Sequence, residues 1–246
     1  MRHVCFNLIR VIKAFTLCLV FTAPAWAAGL TVQTSRVVFD AGKREQTLQL
    51  ANGNAYPLLI QAWIDNGAPE GTPEAAQAPV MPLPGLFRLA GGARQSLRLI
   101  ATDLPQRQDQ ESLYWLNLHA IAPQGEAPVQ AAATLAVAVR LQIKVFWRPS
   151  GLTPRRPDLP GALRVSWQGR QLRLDNPTPW YAVISEMVTE PEGQKLPVGV
   201  LPPYSQRLLP GVDTMPASVR ISVLDDAGLP VWAEHAVAAG PQPVKR

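Results

Sequence analysis

The sequence predicts an all-β protein built as two immunoglobulin-like β-sandwich domains. Three observations carry that expectation: apolar residues recur with period two in short runs from Leu30 onward, proline makes up 25 of the 246 residues, and a Pro- and Gly-rich segment near the middle divides the runs into two sets. Period two places alternate side chains on opposite faces of a strand. Proline at about twice its ordinary share of ~5% excludes long helices.

Residues 1–27 read as a secretory signal peptide and are set apart from the fold. Arg2, Arg10 and Lys13 make a basic start, Ala14 to Ala23 is a short apolar run, and Ala25-Trp26-Ala27 presents small residues where a signal peptidase cuts. The run is shorter than the ~20 residues a bilayer requires, so cleavage near Ala27 and no stable membrane insertion are expected. Without this segment 20 basic residues face 18 acidic ones, a net of +2, which gives no footprint for nucleic acid. Both cysteines, Cys5 and Cys18, leave with it, so the mature domains rely on their own cores instead of disulfides.

The first set of runs predicts strands at 30–39, 45–52, 56–64, 86–90, 94–101, 113–121 and 134–147, enough for one sandwich over residues 28–150. Residues 65–85 lack periodicity and predict an exposed loop. The segment RPSGLTPRRPDLPG, residues 148–161, marks the domain boundary. Beyond it, 162–167, 170–175, 180–189, 204–209, 218–224 and 230–237 predict a smaller sandwich over 151–240, with a hairpin turn at Asp225-Asp226-Ala227-Gly228 and a frayed tail at 241–246.

Little in the chain supports catalysis. After processing only His119 and His235 remain, without paired ligand spacing, and there is no thiol, nucleophile elbow or phosphate loop. No enzyme activity, cofactor or metal is expected.

Two cations draw attention by position. Along 30–39, Arg36 falls in the phase of Leu30, Val32 and Val38, where a guanidinium needs an anion, or open water if the strand ends before it. In 134–147 an aliphatic row, Leu135, Val137, Val139, Leu141, Ile143 and Val145, faces away from a small or polar row that includes Arg140, Gln142 and Lys144. Periodicity alone makes Lys144 a solvated residue. An aliphatic row of that length exceeds an ordinary strand, which suggests that part of it serves a partner. Periodicity leaves open which of the two rows faces outward.

The pieces TSRVVFD, YPLLIQAWID, PLPGLFRLAGG, ESLYWLNLHAIAP, LQIKVFWRP, LRLDNPTPWYAVI and VLPPYS, in that order, resemble the periplasmic pilus chaperones of the chaperone–usher pathway across the whole mature chain. Ala122 intervenes before Pro123 where that family closes its signature directly on proline. The missing Cys pair and the short QGEAPVQAAA connection resemble the short-loop subgroup.

The resemblance implies a boomerang of two domains in the periplasm that caps pilus subunits by donor-strand complementation and delivers them to an outer-membrane usher. It implies that Leu135, Val137, Val139 and Leu141 fill a subunit's groove, and that Arg36 and Lys144 hold the subunit's C-terminal carboxylate. Glu111, Arg148 and Asp226 map onto an interdomain salt-bridge network, although Asp225 could stand in for Asp226. Whether the free chaperone self-associates through its exposed strand is left open. The competing class is a secreted β-sandwich structural protein, such as a pilus subunit or adhesin. It is disfavoured by the lack of Cys and of an alternating N-terminal extension.

Overall fold

A computed structural model describes residues 29–102, 107–123, 138–152 and 158–239. The described chain is nearly all β, with one helical turn.

The N-terminal sandwich has two sheets. One contains β1 (Leu30–Val32), β3 (Glu45–Asn52), β7 (Arg94–Ala101) and β5 (Val80–Leu83), in the order β1-β3-β7-β5. The other contains β2 (Arg36–Asp40), β9 (Ala138–Arg148), β8 (Ser112–Ile121), β4 (Leu58–Asp65) and β6 (Leu86–Leu89), in the order β2-β9-β8-β4-β6. All pairs are antiparallel except β2 with β9. Between the sheets lies an apolar core that includes Phe39, Leu50, Ile60, Leu97, Leu99, Leu116 and Leu118. Phe39 stacks on Trp147 across the parallel pair, with ring centroids 5.4 Å apart.

The C-terminal sandwich follows α1 (Leu159–Ala162), whose first turn is capped by the Asp158 carboxylate. Its sheets are β14-β11-β10-β17 and β13-β12-β15-β16. The strands are β10 (Arg164–Gln168), β11 (Gln171–Asn176), β12 (Ala182–Glu190), β13 (Gly199–Leu201), β14 (Ser205–Leu209), β15 (Ser218–Leu224), β16 (Pro230–Ala236) and β17 (Ala238–Ala239). Leu172, Leu174, Met187, Val219 and Ile221 are central to a second, separate core.

Several expectations need correction. The run 30–39 is two strands in different sheets, because the chain crosses from one sheet to the other at Gln33–Ser35. The crossing resets the alternation: Val37 and Phe39 face the core, and Arg36 lies on the opposite face of β2. Arg36 therefore does not interrupt an aliphatic row. Nor is it solvated, being only 6% exposed.

The segment 65–85 is not all loop, since β5 pairs with β7 there. Pro82 is tolerated because β5 is an edge strand. The boundary segment carries α1, and two short strands were not expected: β13, and β17, which pairs in parallel with β10. Of the strand expected at 134–147, residues 134–137 lie outside the described residues, as does the 124–133 connection.

Candidate functional site

The site is built on β9, whose two flanks differ. Along one, β8 pairs with every residue from Ala138 to Trp147. Along the other, β2 pairs only with Lys144 to Arg148. Among the described residues no strand covers Ala138–Ile143 on that flank, so backbone donors and acceptors of a sheet edge are open to an added strand.

The side chains of β9 change with the same geometry. Trp147, Val145 and Ile143 are buried in the N-terminal core, Leu141 packs against it half-buried, and Val139 is 48% exposed. One aliphatic row thus runs from the core into the open. Leu135 and Val137, the next members of that row, lie outside the described residues.

At the point where the open flank closes, two cations meet. Arg36 and Lys144 are the first register pair of β2 with β9. The Arg36 guanidinium donates through Nη1 to the backbone oxygens of Leu224 (3.3 Å) and Asp225 (3.2 Å), so the second domain helps orient it. The Lys144 ammonium lies 4.5 Å from the centroid of a Trp115 ring. Burial, and then the nearby Arg36 charge, push the Lys144 pKa below the ordinary lysine value. No carboxylate pairs with Lys144 among the described residues.

Beside this pair, Glu111, Arg148 and Asp226 converge. Arg148 Nε donates to Glu111 Oε1 at 2.7 Å, while Nη1 and Nη2 donate to the two Asp226 oxygens at 2.8 and 3.0 Å. The other Glu111 oxygen accepts the Tyr181 backbone N–H of the second domain at 2.9 Å. Burial alone would lower the Arg148 pKa, but the bonds to Asp226 and Glu111 outweigh it and raise the value. Asp225 points elsewhere, accepting the backbone N–H groups of Ala227 and Leu229 and so capping its own turn. Phe146 packs against Tyr181 in the same junction at 5.9 Å between centroids. Burial and then the Glu111 charge raise the Tyr181 pKa.

The polar face of the sheet carries a cluster that the sequence reading did not single out. Arg140 donates to Asn117 Oδ1 (2.9 Å) and Pro69 O (2.7 Å), and reaches Asp65 at 3.5 Å. Asp65 also accepts from Trp63 Nε1 and from the Gly67 N–H, each at 2.8 Å. These residues fix the 65–71 loop over the sheet. The signal available in the sequence was Arg140, a bulky cation in a row that otherwise begins with alanines.

His119 is half-buried on β8, and His235 Nε2 lies 2.9 Å from the Pro160 oxygen. Among the described residues no group of His, Cys, Asp and Glu could hold a metal, and no helix is long and apolar enough to cross a membrane.

Comparison with known proteins gives this arrangement a family. Residues 29–153 match the family described as pili and flagellar-assembly chaperone, PapD N-terminal domain, and residues 158–234 match the pili assembly chaperone PapD, C-terminal domain. The chaperone protein FimB/FhaD of Bordetella pertussis is 32% identical over 216 residues, covering 84% of this chain and 87% of the relative. The probable fimbrial chaperone YadV of Escherichia coli is 30% identical over 205 residues, covering 79% and 82%. Among solved structures, the Pseudomonas aeruginosa CupB2 chaperone has a TM-score of 0.71 at 30% identity, covering 84% of this chain and all of that one. A chain of the Salmonella enterica SafA pilin–SafB chaperone complex has a TM-score of 0.75 at 25% identity, covering 85% and 96%. With both of its sandwich domains matched and its relatives aligned across most of their length, this chain belongs to the PapD-like family of periplasmic pilus-assembly chaperones, whose members are not enzymes.

Proposed function

We propose that the protein binds pilus subunits in the periplasm by lending them β9, caps them until assembly, and passes them to an outer-membrane usher. The observation that carries this reading is the open flank of β9, which ends at two adjacent cations. A strand added along Ala138–Ile143 is collinear with β2. If its C-terminus is to meet Arg36 and Lys144, it must run in the same direction as β9, and its terminal carboxylate then lies where β2 begins. The direction and register of the added strand follow from that one contact.

In this scheme backbone hydrogen bonds along the edge supply length, and alternate side chains supply depth, as in strand addition generally. Leu135, Val137, Val139 and Leu141 enter the subunit's groove, each fully buried apolar side chain contributing about 1.5–3 kcal/mol. Arg36 and Lys144 bind the carboxylate through charge-assisted bonds of about 1.5–3 kcal/mol each. The Glu111–Arg148–Asp226 network keeps the second domain at the angle that lets Leu224 and Asp225 hold Arg36. The same open edge is the contact through which free protein would self-associate.

Residues 1–27 act as the export signal, with a mature chain starting near Ala28, and the short connection before β9 without a Cys pair fits the short-loop subgroup. Co-expression with a pilus subunit of its host, followed by isolation of the complex from the periplasm, tests the reading. The subunit is expected to accumulate soluble and bound. Its loss to aggregation or proteolysis despite abundant chaperone would contradict the proposal.

A further inference from the structure

Four residues line up straight across the sheet. Arg36 pairs with Lys144 on β9, Lys144 with Trp115 on β8, and Trp115 with Asp65 on β4. Residues at one register position point to the same face of a sheet, so this row places two cations, an indole and a carboxylate side by side. The carboxylate sits at the far end with the indole between it and the ammonium. Its oxygens are already engaged by Trp63 Nε1 and the Gly67 N–H, with Arg140 alongside.

The indole is itself held from the loop side. Gly67 adopts φ +86°, and a Cβ built there would lie within 2.9 Å of three atoms of the Trp115 pyrrole, at 2.2 Å from the closest. Only glycine lets the 65–71 loop rest this closely on the ring. Arg140 clamps that loop through Pro69 O, and also reaches Asn117 Oδ1, which accepts from Gln142 Nε2 as well. The loop against one side of the ring is thus tied down through Arg140, and the ring is what the Lys144 ammonium meets.

We infer that Trp115, backed by Gly67, is a positioning residue that keeps the Lys144 ammonium away from Asp65 and directed at an incoming C-terminal carboxylate. The inference rests on the reading that Lys144 receives that carboxylate. A ring face attracts an ammonium without neutralising it, so the cation is oriented while its charge stays available to an anion. A carboxylate in the same place would form an internal ion pair and compete with the partner.

The test uses the full mature chain and a fluorescent synthetic peptide of alternating apolar residues ending in a free carboxylate, alongside the same peptide as its C-terminal amide. Wild-type protein is expected to prefer the acid. Lys144→Ala is expected to abolish the preference. Trp115→Met is expected to lower it about threefold to tenfold with little change in amide binding, and Trp115→Phe, which restores a ring face, to recover most of it. If Lys144→Ala retains the preference, the carboxylate reading itself fails. If Lys144→Ala loses it while Trp115→Met keeps it, or if Trp115→Met weakens both peptides equally, the positioning role is overturned and Trp115 only packs.

A second measurement needs no variant at Trp115. With lysine labelled at the ε-carbon and the Lys144 signal assigned through Lys144→Arg, ring current should shift that signal upfield in the free protein, and the acid peptide should move it more than the amide. An unshifted Lys144 signal would overturn the inference.

Discussion

Arg36 and Lys144 lie side by side at the first register position of β2 with β9, so two positive charges share the point where the sheet edge opens. Like charges directly opposite one another destabilise a sheet. The Lys144 pKa is lowered by burial and by Arg36, which is how that cost is expressed.

The sign of the resulting pH dependence is fixed. With its folded pKa below the ordinary 10.5, Lys144 opposes folding while both states are protonated, and stability rises with pH between the two values as the folded state loses its proton first. Lys144→Met should therefore raise Tm at pH 7, by a margin that shrinks toward pH 10. Thermal melts at the two pH values check this, and a Lys144→Met protein less stable than wild type at pH 7 would contradict it.

Subunit binding should show the complementary trend. A carboxylate at the pair restores the lysine proton, so retention of a subunit should be flat near neutrality and weaken as pH rises toward the ordinary lysine range. Lys144→Arg, which does not titrate there, should remove that weakening. Retention measured on immobilised chaperone across pH distinguishes the two outcomes.

The aliphatic row of β9 should divide by position. Val139 is exposed, so Val139→Asp should leave Tm within a few degrees of wild type while reducing subunit capture at least tenfold. Ile143 is buried in the N-terminal core, and Ile143→Asp places an unpaired charge there, a change of a kind that costs more than about 3 kcal/mol. Urea unfolding and co-purification should separate the two variants.

The interdomain network should be unequal. Glu111 is buried and holds both Arg148 and the Tyr181 N–H, so Glu111→Ala should cost about 3–5 kcal/mol, the ordinary loss when one partner of a buried pair is removed. The Asp226 side chain is 45% exposed, and solvent screening should hold Asp226→Ala to about 1 kcal/mol. Urea denaturation of both variants measures the difference.

What the sequence disclosed and what it hid have physical reasons. The long aliphatic row of β9 and the alternation of β8 are properties of a single strand and are legible from period two. The partners of those strands are not. Trp115 and Asp65 join Lys144 only through cross-strand register, which no local pattern contains. Periodicity leaves open whether the strand ends before Arg36, because the break at Gln33–Ser35 carries no proline or glycine to announce it. Conversely, β5 was hidden by Pro82, which an edge strand accepts, and by Pro84, which follows directly after the strand.

The choice between Asp225 and Asp226 was not readable for another reason. Adjacent identical side chains differ only in which way the turn aims them, and here Asp225 caps the hairpin while Asp226 reaches Arg148. The residues proposed to hold the subunit's carboxylate came from resemblance. Charge and periodicity alone placed Lys144 in solvent.

The most direct test of the central claim is retention of a host pilus subunit by periplasmic wild-type protein, Arg36→Ala and Lys144→Ala, each confirmed as folded by its thermal melt. The account predicts soluble, folded variants that no longer hold the subunit. Recovery of the subunit with either variant at the wild-type yield would contradict it.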